Sequence, residues 1–225
     1  MSDQNEYAAL EWRDGKIPIA TRFDDPYFSL DNGMAETEYV FLAGNGLPDR
    51  FGTGFHIAEL GFGSGLNLLC AWKAWRSAGQ TSALRFTSFE AFPMAPADMA
   101  AAQGTWPELA DEVAEFAQIW DAAAGRAICD TLDARVIYGD ARVTLANWDG
   151  AADAWFLDGF SPAKNPELWE PDLMGAVGKH TAVGGTFATY TAAGHVRQSL
   201  AAAGFDVERI KGFGRKRHMT RGVLA

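Results

Sequence analysis

Residues 59 to 65 read Glu59-Leu60-Gly61-Phe62-Gly63-Ser64-Gly65. They follow the apolar run Phe55-His56-Ile57-Ala58 and open the helix-like stretch Leu66 to Trp75. A strand that turns through glycines into a helix points to an open α/β sheet with a ligand at its strand ends. The glycines let a ligand approach the backbone without meeting a Cβ atom, and the helix aims free N–H groups at it. A dinucleotide loop would read G-x-G-x-x-G, with an acid about 20 positions on. Here the third glycine comes one step early, and Glu59 precedes the first. A carboxylate pressed against the loop opposes a pyrophosphate. It suits a cofactor with a positive charge, an ammonium and no phosphate, which is the chemistry of S-adenosylmethionine. Taken alone, the loop also fits a tight strand-to-helix turn with no ligand.

The rest of the chain alternates in the same way. Leu84–Phe89, Ala134–Tyr138, Ala154–Leu157 and Thr186–Thr191 read as strands. Leu66–Ser77, Pro96–Gln103, Pro171–His180 and His195–Ala203 read as helices. Phe205–Ile210 and His218–Leu224 read as a final antiparallel pair. The predicted fold is α/β, a Rossmann-like doubly wound, mostly parallel sheet. Leu10–Arg13 and Lys16–Ala20 flank Asp14-Gly15 and read as a β-hairpin. Asp24 to Pro48 is rich in turn formers and aromatics. Residues 1–50 are expected to be an N-terminal elaboration packed on the core, and residues 51–225 one domain. An insertion, helical over 106–124, falls near 105–130.

Two further acids mark strand ends. Glu90 closes the second strand, where it can accept hydrogen bonds from two ribose hydroxyls. Asp140 closes the third, where it can meet an adenine amino group. With Glu59, Gly61, Phe62, Gly63, Gly65, Asn67, Ala91, Ala141 and Asp158 they make the candidate cofactor set. The strand Ala154–Leu157 runs into Asp158-Gly159-Phe160-Ser161-Pro162-Ala163-Lys164-Asn165-Pro166. Asp158 is the candidate catalytic residue: it can orient an amine nucleophile and accept its proton. Methyl transfer needs the neutral amine held in line with the sulfonium. Phe160 can stack on a planar base. Any one of these acids, met singly, also fits a cap or turn.

Several stretches resemble the methyltransferase domain of the bacterial tRNA 5-methylaminomethyl-2-thiouridine biosynthesis proteins. They are Asp25–Asn45, Glu59–Asn67, Arg85–Pro93, Asp153–Leu173 and Lys211–Met219. The resemblance implies a class I methyltransferase fold with a seven-stranded sheet. It implies methylation of the exocyclic amine of 5-aminomethyl-2-thiouridine at the tRNA wobble position. Asp158 matches the acid beside the substrate amine, and Glu59, Gly61, Gly63, Glu90 and Asp140 match cofactor positions. Many such proteins continue into a FAD-dependent oxidase domain, absent from this chain, so fusion to or association with one is an implied partner.

The net charge of −10 argues against a general nucleic-acid binder. Its distribution does not. Between Arg197 and Arg221, Arg209, Lys211, Arg215, Lys216 and Arg217 are opposed by Asp206 and Glu208 alone. The turn from Lys211 to Arg217 can contact the phosphates of an anticodon stem-loop. Lys164 joins the candidate substrate contacts, and Tyr27, Phe28 and Phe160 the wall of a pocket for an extruded base. No apolar run nears the roughly 18 residues of a membrane span. Cys70 and Cys129 have no redox or metal spacing, which points to a reducing cytoplasm. The histidines show no metal-ligand spacing, and no metal is expected. Competing readings are an N-methyltransferase of small amines, a non-catalytic cofactor- or RNA-binding module and, least favoured by the loop, a hydride-transfer enzyme.

Overall fold

The computed structural model describes residues 7–29 and 32–225. Strands β1 (Leu10–Arg13), β2 (Ile17–Ala20) and β3 (Asp25–Pro26) form a small antiparallel sheet. At the expected hairpin turn, Asp14 and Gly15 both take left-handed φ, +52° and +66°. That is the sign a type I′ turn requires at its two central positions. The segment expected to be turn-rich is partly helical. Asn32 caps helix α1 (Gly33–Thr37) by accepting from the Ala35 amide. A π turn (Glu38–Leu42) and a 3₁₀ turn (Ala43–Asn45) continue it. Burial of Val40, Phe41 and Leu42 holds these turns against the main core.

The main sheet is assembled from β4 (His56–Leu60), β5 (Leu84–Glu90), β6 (Trp120–Asp121), β7 (Arg126–Cys129), β8 (Leu132–Tyr138), β9 (Ala152–Leu157), β10 (Thr181–Thr189), β11 (Phe205–Lys211) and β12 (His218–Leu224). Their spatial order is β11-β12-β10-β9-β4-β5-β8-β7-β6. The central five, β10 to β8, are parallel, and β12 lies antiparallel between β10 and β11. These seven strands are the expected ones. The insertion differs from its helical reading. It holds a 3₁₀ turn at Pro107–Leu109 and helix α4 (Ala110–Ile119), and then supplies β6 and β7 to the β8 edge. Strand β10 begins earlier than its expected start at Thr186, and Gly184-Gly185 lies within it. Its pairing with β9 shifts register between Thr181 and Thr186. Gly184 has φ +72° there, the positive φ that glycine tolerates at such irregularities.

Helices α2 (Leu66–Ser77) and α3 (Pro96–Gln103) match their sequence boundaries. Helices α5 (Ala141–Thr144), α6 (Pro171–Lys179) and α7 (Gly194–Ala202) complete the set. Strand β9 shows why both sheet faces are covered. Successive side chains alternate across a strand, so Phe156 joins the cluster with α2 and α4, and Trp155 joins the cluster with α6 and α7. Both are fully buried, as a parallel sheet with helices on both faces requires. This winding leaves the carboxyl ends of the central strands open.

Candidate active site

Those strand ends share one cavity of about 1000 Å³. Gly61 follows β4, Glu90 ends β5, Asp140 follows β8, Asp158 follows β9 and Tyr190 follows β10; all five line it. Tyr27 and Phe28 of the N-terminal segment form a wall, and Arg215 and Lys216 of the β11–β12 turn border it.

The glycine loop crosses the floor. Gly61 has φ +86°, and its amide donates to the Phe89 carbonyl over 2.9 Å. A Cβ there would lie 3.2 Å from Gly159 Cα, so the ends of β4 and β9 approach without side chains between them. Gly63 has φ +54°, and a Cβ there would lie 3.1 Å from the Tyr27 ring. The Gly63 amide donates to Glu90 Oε2 over 3.0 Å, and the Phe92 amide to Glu90 Oε1 over 2.7 Å. Burial raises the Glu90 carboxyl above its ordinary range, and these amides oppose that shift. A carboxylate with each oxygen already anchored has lone pairs left for a pair of ligand hydroxyls.

Asn67, on the first turn of α2, ties the site together. Its Nδ2 donates to Glu59 Oε1 over 2.9 Å and to Asp158 Oδ2 over 2.8 Å. Its Oδ1 accepts from Thr37 Oγ1 over 2.8 Å. The Gly159 amide donates to Asp158 Oδ1 over 2.8 Å. Burial pushes the Asp158 carboxyl up to about 6, against the lowering effect of those two hydrogen bonds. Asp158 therefore combines a fixed orientation with a proton affinity well above that of an ordinary carboxylate.

Four candidates stand outside the cavity lining. Glu59 is fully buried, on a strand covered on both faces. It accepts from Asn67 and from Ser88 Oγ (2.7 Å), and burial drives its pKa well above the carboxylate range. Glu59 therefore lies behind the cavity surface and supports Asn67, while Glu90 and Asp158 face the cavity. Gly65 is the left-handed N-cap of α2. Lys211 offers its carbonyl to the Tyr39 hydroxyl, and Arg217 its carbonyl to the Gly212 amide.

The remaining candidates line it: Gly61, Phe62, Gly63, Asn67, Glu90, Ala91, Asp140, Ala141, Asp158, Tyr27, Phe28, Phe160, Lys164, Arg215 and Lys216. Several have partners that the sequence did not reveal. Asp140 caps α5 and pairs with Arg142 over 2.6 Å, which holds its carboxyl below the usual range. Lys164 bonds to Asp24 and lies 3.8 Å from Asp25. Phe160 stacks on Phe23 with centroids 4.6 Å apart, and Tyr27 meets it edge-on at 5.1 Å. One face of Phe160 is therefore covered by Phe23, and the pocket wall is an aromatic cluster. Sequence reasoning missed Phe23, Glu36 and Tyr190. Tyr190 follows a strand of the parallel sheet, so the strand-end rule that found Asp158 could have found it.

The arrangement matches known proteins along the whole chain. A family model described as S-adenosyl-L-methionine-dependent methyltransferase matches residues 107–225. Two curated relatives are each named tRNA 5-methylaminomethyl-2-thiouridine biosynthesis bifunctional protein MnmC. The one from Stutzerimonas stutzeri (strain A1501) is 41% identical over 238 aligned positions, 99% of this chain and 35% of that protein. The one from Hahella chejuensis (strain KCTC 2396) is 45% identical over 232, 98% of this chain and 37% of that protein. The chain thus spans about a third of the length of these relatives. The solved structure of MNMC2 from Aquifex aeolicus superposes with a TM-score of 0.75 at 27% identity, covering 99% of this chain and 72% of that one.

Proposed function

The chain belongs to the S-adenosyl-L-methionine-dependent methyltransferase family, and from that premise we propose that it methylates the exocyclic amine of 5-aminomethyl-2-thiouridine at the wobble position of tRNA. The observation that carries this reading is Asp158, held by two hydrogen bonds inside the same cavity as Glu90 and the glycine loop. The names of the two bifunctional relatives support the choice of acceptor.

The residues present fit the cofactor. Gly61 and Gly63 leave backbone room that a Cβ would fill. Glu90 would accept from the ribose hydroxyls, and Asp140 and Ala141, which line the same cavity, would border the adenine. The bound cofactor supplies a methyl group carried on a sulfonium. The protein's own residues position the acceptor. Tyr27, Phe23 and Phe160 wall the pocket for an extruded base, which needs apolar faces once unstacked. Asp158 orients the acceptor's ammonium and takes one proton from it, leaving a neutral amine whose lone pair is free for transfer. Arg215 and Arg217 contact phosphates of the anticodon stem-loop. The aminomethyl precursor is supplied by a FAD-dependent oxidase, fused or separate, and the reaction takes place in the cytoplasm. Among the described residues no helix is long and apolar enough to cross a membrane.

The test is acceptor competition. The purified protein is given tRNA lacking the final methyl group, alongside a panel of small primary amines. Methyl incorporation into the tRNA supports the reading; incorporation confined to the small amines overturns it.

A further inference from the structure

Lys216 belongs to the basic turn between β11 and β12, yet its ammonium lies inside the cavity. Its Nζ is 2.6 Å from Glu36 Oε1 of α1 and 4.2 Å from the centroid of the Tyr190 ring. We propose that Glu36 and the Tyr190 ring form the subsite for the acceptor's alkylammonium group, and that Lys216 fills this subsite until the acceptor arrives. The proposal deepens the tRNA amine reading and rests on it.

Three observations carry it. First, the subsite has the chemistry of an ammonium site. A carboxylate and an aromatic face together attract an alkyl cation, more strongly when water is excluded. The Glu36 side chain is only 12% exposed, and Lys216 is its one cationic partner among the described residues. A carboxylate so enclosed is costly without a cation beside it. Second, the subsite is tied to the catalytic acid. The Tyr190 hydroxyl donates to the Gly159 carbonyl over 2.8 Å, next to Asp158. Thr37, adjacent to Glu36, donates to Asn67, and Asn67 donates to Asp158. Glu36 and Lys216 also shift the proton affinity of Asp158, in opposite directions. An amine held by Glu36 and Tyr190 is therefore held where Asp158 can act on it. Third, the occupant resembles the acceptor. A lysine ends in a primary alkylammonium, as does a protonated aminomethyl group. The side chain has room to leave: Lys216 is nearly half exposed, so its ammonium can move from the subsite into solvent.

The exchange replaces one alkylammonium with another, so the charge in the subsite is unchanged and no proton moves. Among the described residues, Arg215 and Arg217 of the same turn have no ion pair and are left for phosphates.

The experiment measures binding of two anticodon stem-loop RNAs, identical except that one carries 5-aminomethyluridine and the other 5-methyluridine at the wobble position. Wild type, Glu36→Gln and Lys216→Met are compared by fluorescence anisotropy, with methyl transfer by wild type to tRNA bearing 5-aminomethyl-2-thiouridine assayed in parallel. Wild type is expected to prefer the amine-bearing RNA. Glu36→Gln should lose about tenfold in affinity for that RNA, as for a charge-assisted hydrogen bond, and keep its affinity for the other. Lys216→Met should bind the amine-bearing RNA several-fold tighter and the other unchanged. Equal weakening of both RNAs by Lys216→Met, with a shallower salt dependence, overturns the proposal and makes Lys216 a phosphate-binding residue. An amine preference that survives in Glu36→Gln overturns it too. Either result leaves the proposed function standing if wild type methylates the tRNA; a wild type that does not overturns both.

Discussion

The Asn67 side-chain amide donates to Asp158 over 2.8 Å, and through the same nitrogen to Glu59 over 2.9 Å. One amide thus fixes a carboxylate in the cavity and serves a second one buried behind it. Asn67→Ala removes both bonds and leaves Glu59 and Thr37 short of a partner. The expected outcome is a loss of about 1–3 kcal/mol in stability, the usual penalty for unsatisfied buried groups. Turnover should fall at least tenfold while tRNA affinity changes little. Denaturant unfolding and steady-state kinetics check the two parts.

Asp158→Asn separates charge from shape. It should retain cofactor binding and lose about 10²–10⁴-fold in turnover, the span of general acid–base contributions. Its stability should also respond to pH in a defined direction. The folded pKa of Asp158 is about 6, above the ordinary 3.8, so the folded protein holds this proton more tightly than the unfolded chain. The ionised side chain therefore costs stability above about pH 6, and the cost fades as pH falls through that window. Asp158→Asn should gain more stability relative to wild type at about pH 8 than at about pH 4.5. Equal gains at the two pH values would contradict the assignment.

Gly61→Ala tests the cradle. The position holds φ +86°, and the new Cβ would meet backbone at 3.2 Å rather than a movable side chain. Left-handed backbone costs a non-glycine residue roughly 1–2 kcal/mol. The expected result is a loss of about that size in stability and at least tenfold weaker cofactor binding by titration calorimetry.

Replacing Arg215 and Arg217 with alanine tests the basic turn. For every phosphate that an arginine no longer neutralises, the plot of log affinity against log salt should flatten by about 0.7–0.9. Cofactor affinity should stay the same. An unchanged salt slope would remove the turn from the RNA interface.

The sequence marked the elements whose limits are set locally. Gly65 opens α2 and Pro96 opens α3, and both helices begin and end as read. Strands β6 and β7 were missed because strands of two and four residues exist only by pairing, β7 on the β8 edge and β6 on β7. The helical turns from Gly33 to Asn45 were hidden by turn-forming residues and are held by burial of Val40, Phe41 and Leu42. In the site, Glu90 and Asp158 were legible because strand ends carry ligands in this architecture. The recession of Glu59 was not, since its burial depends on which strands flank β4. The Glu36–Lys216 pair joins residues 180 positions apart, and no local spacing announces such a pair.

The wobble amine is the proposed acceptor. The direct measurement supplies the protein with tRNA bearing 5-aminomethyl-2-thiouridine and cofactor labelled in its methyl group, then digests the tRNA to nucleosides for mass spectrometry. The label is expected on the exocyclic nitrogen of the wobble uridine, and it should disappear with Asp158→Asn. Label at any other position, or tRNA left unlabelled by an enzyme that binds the cofactor, would contradict it.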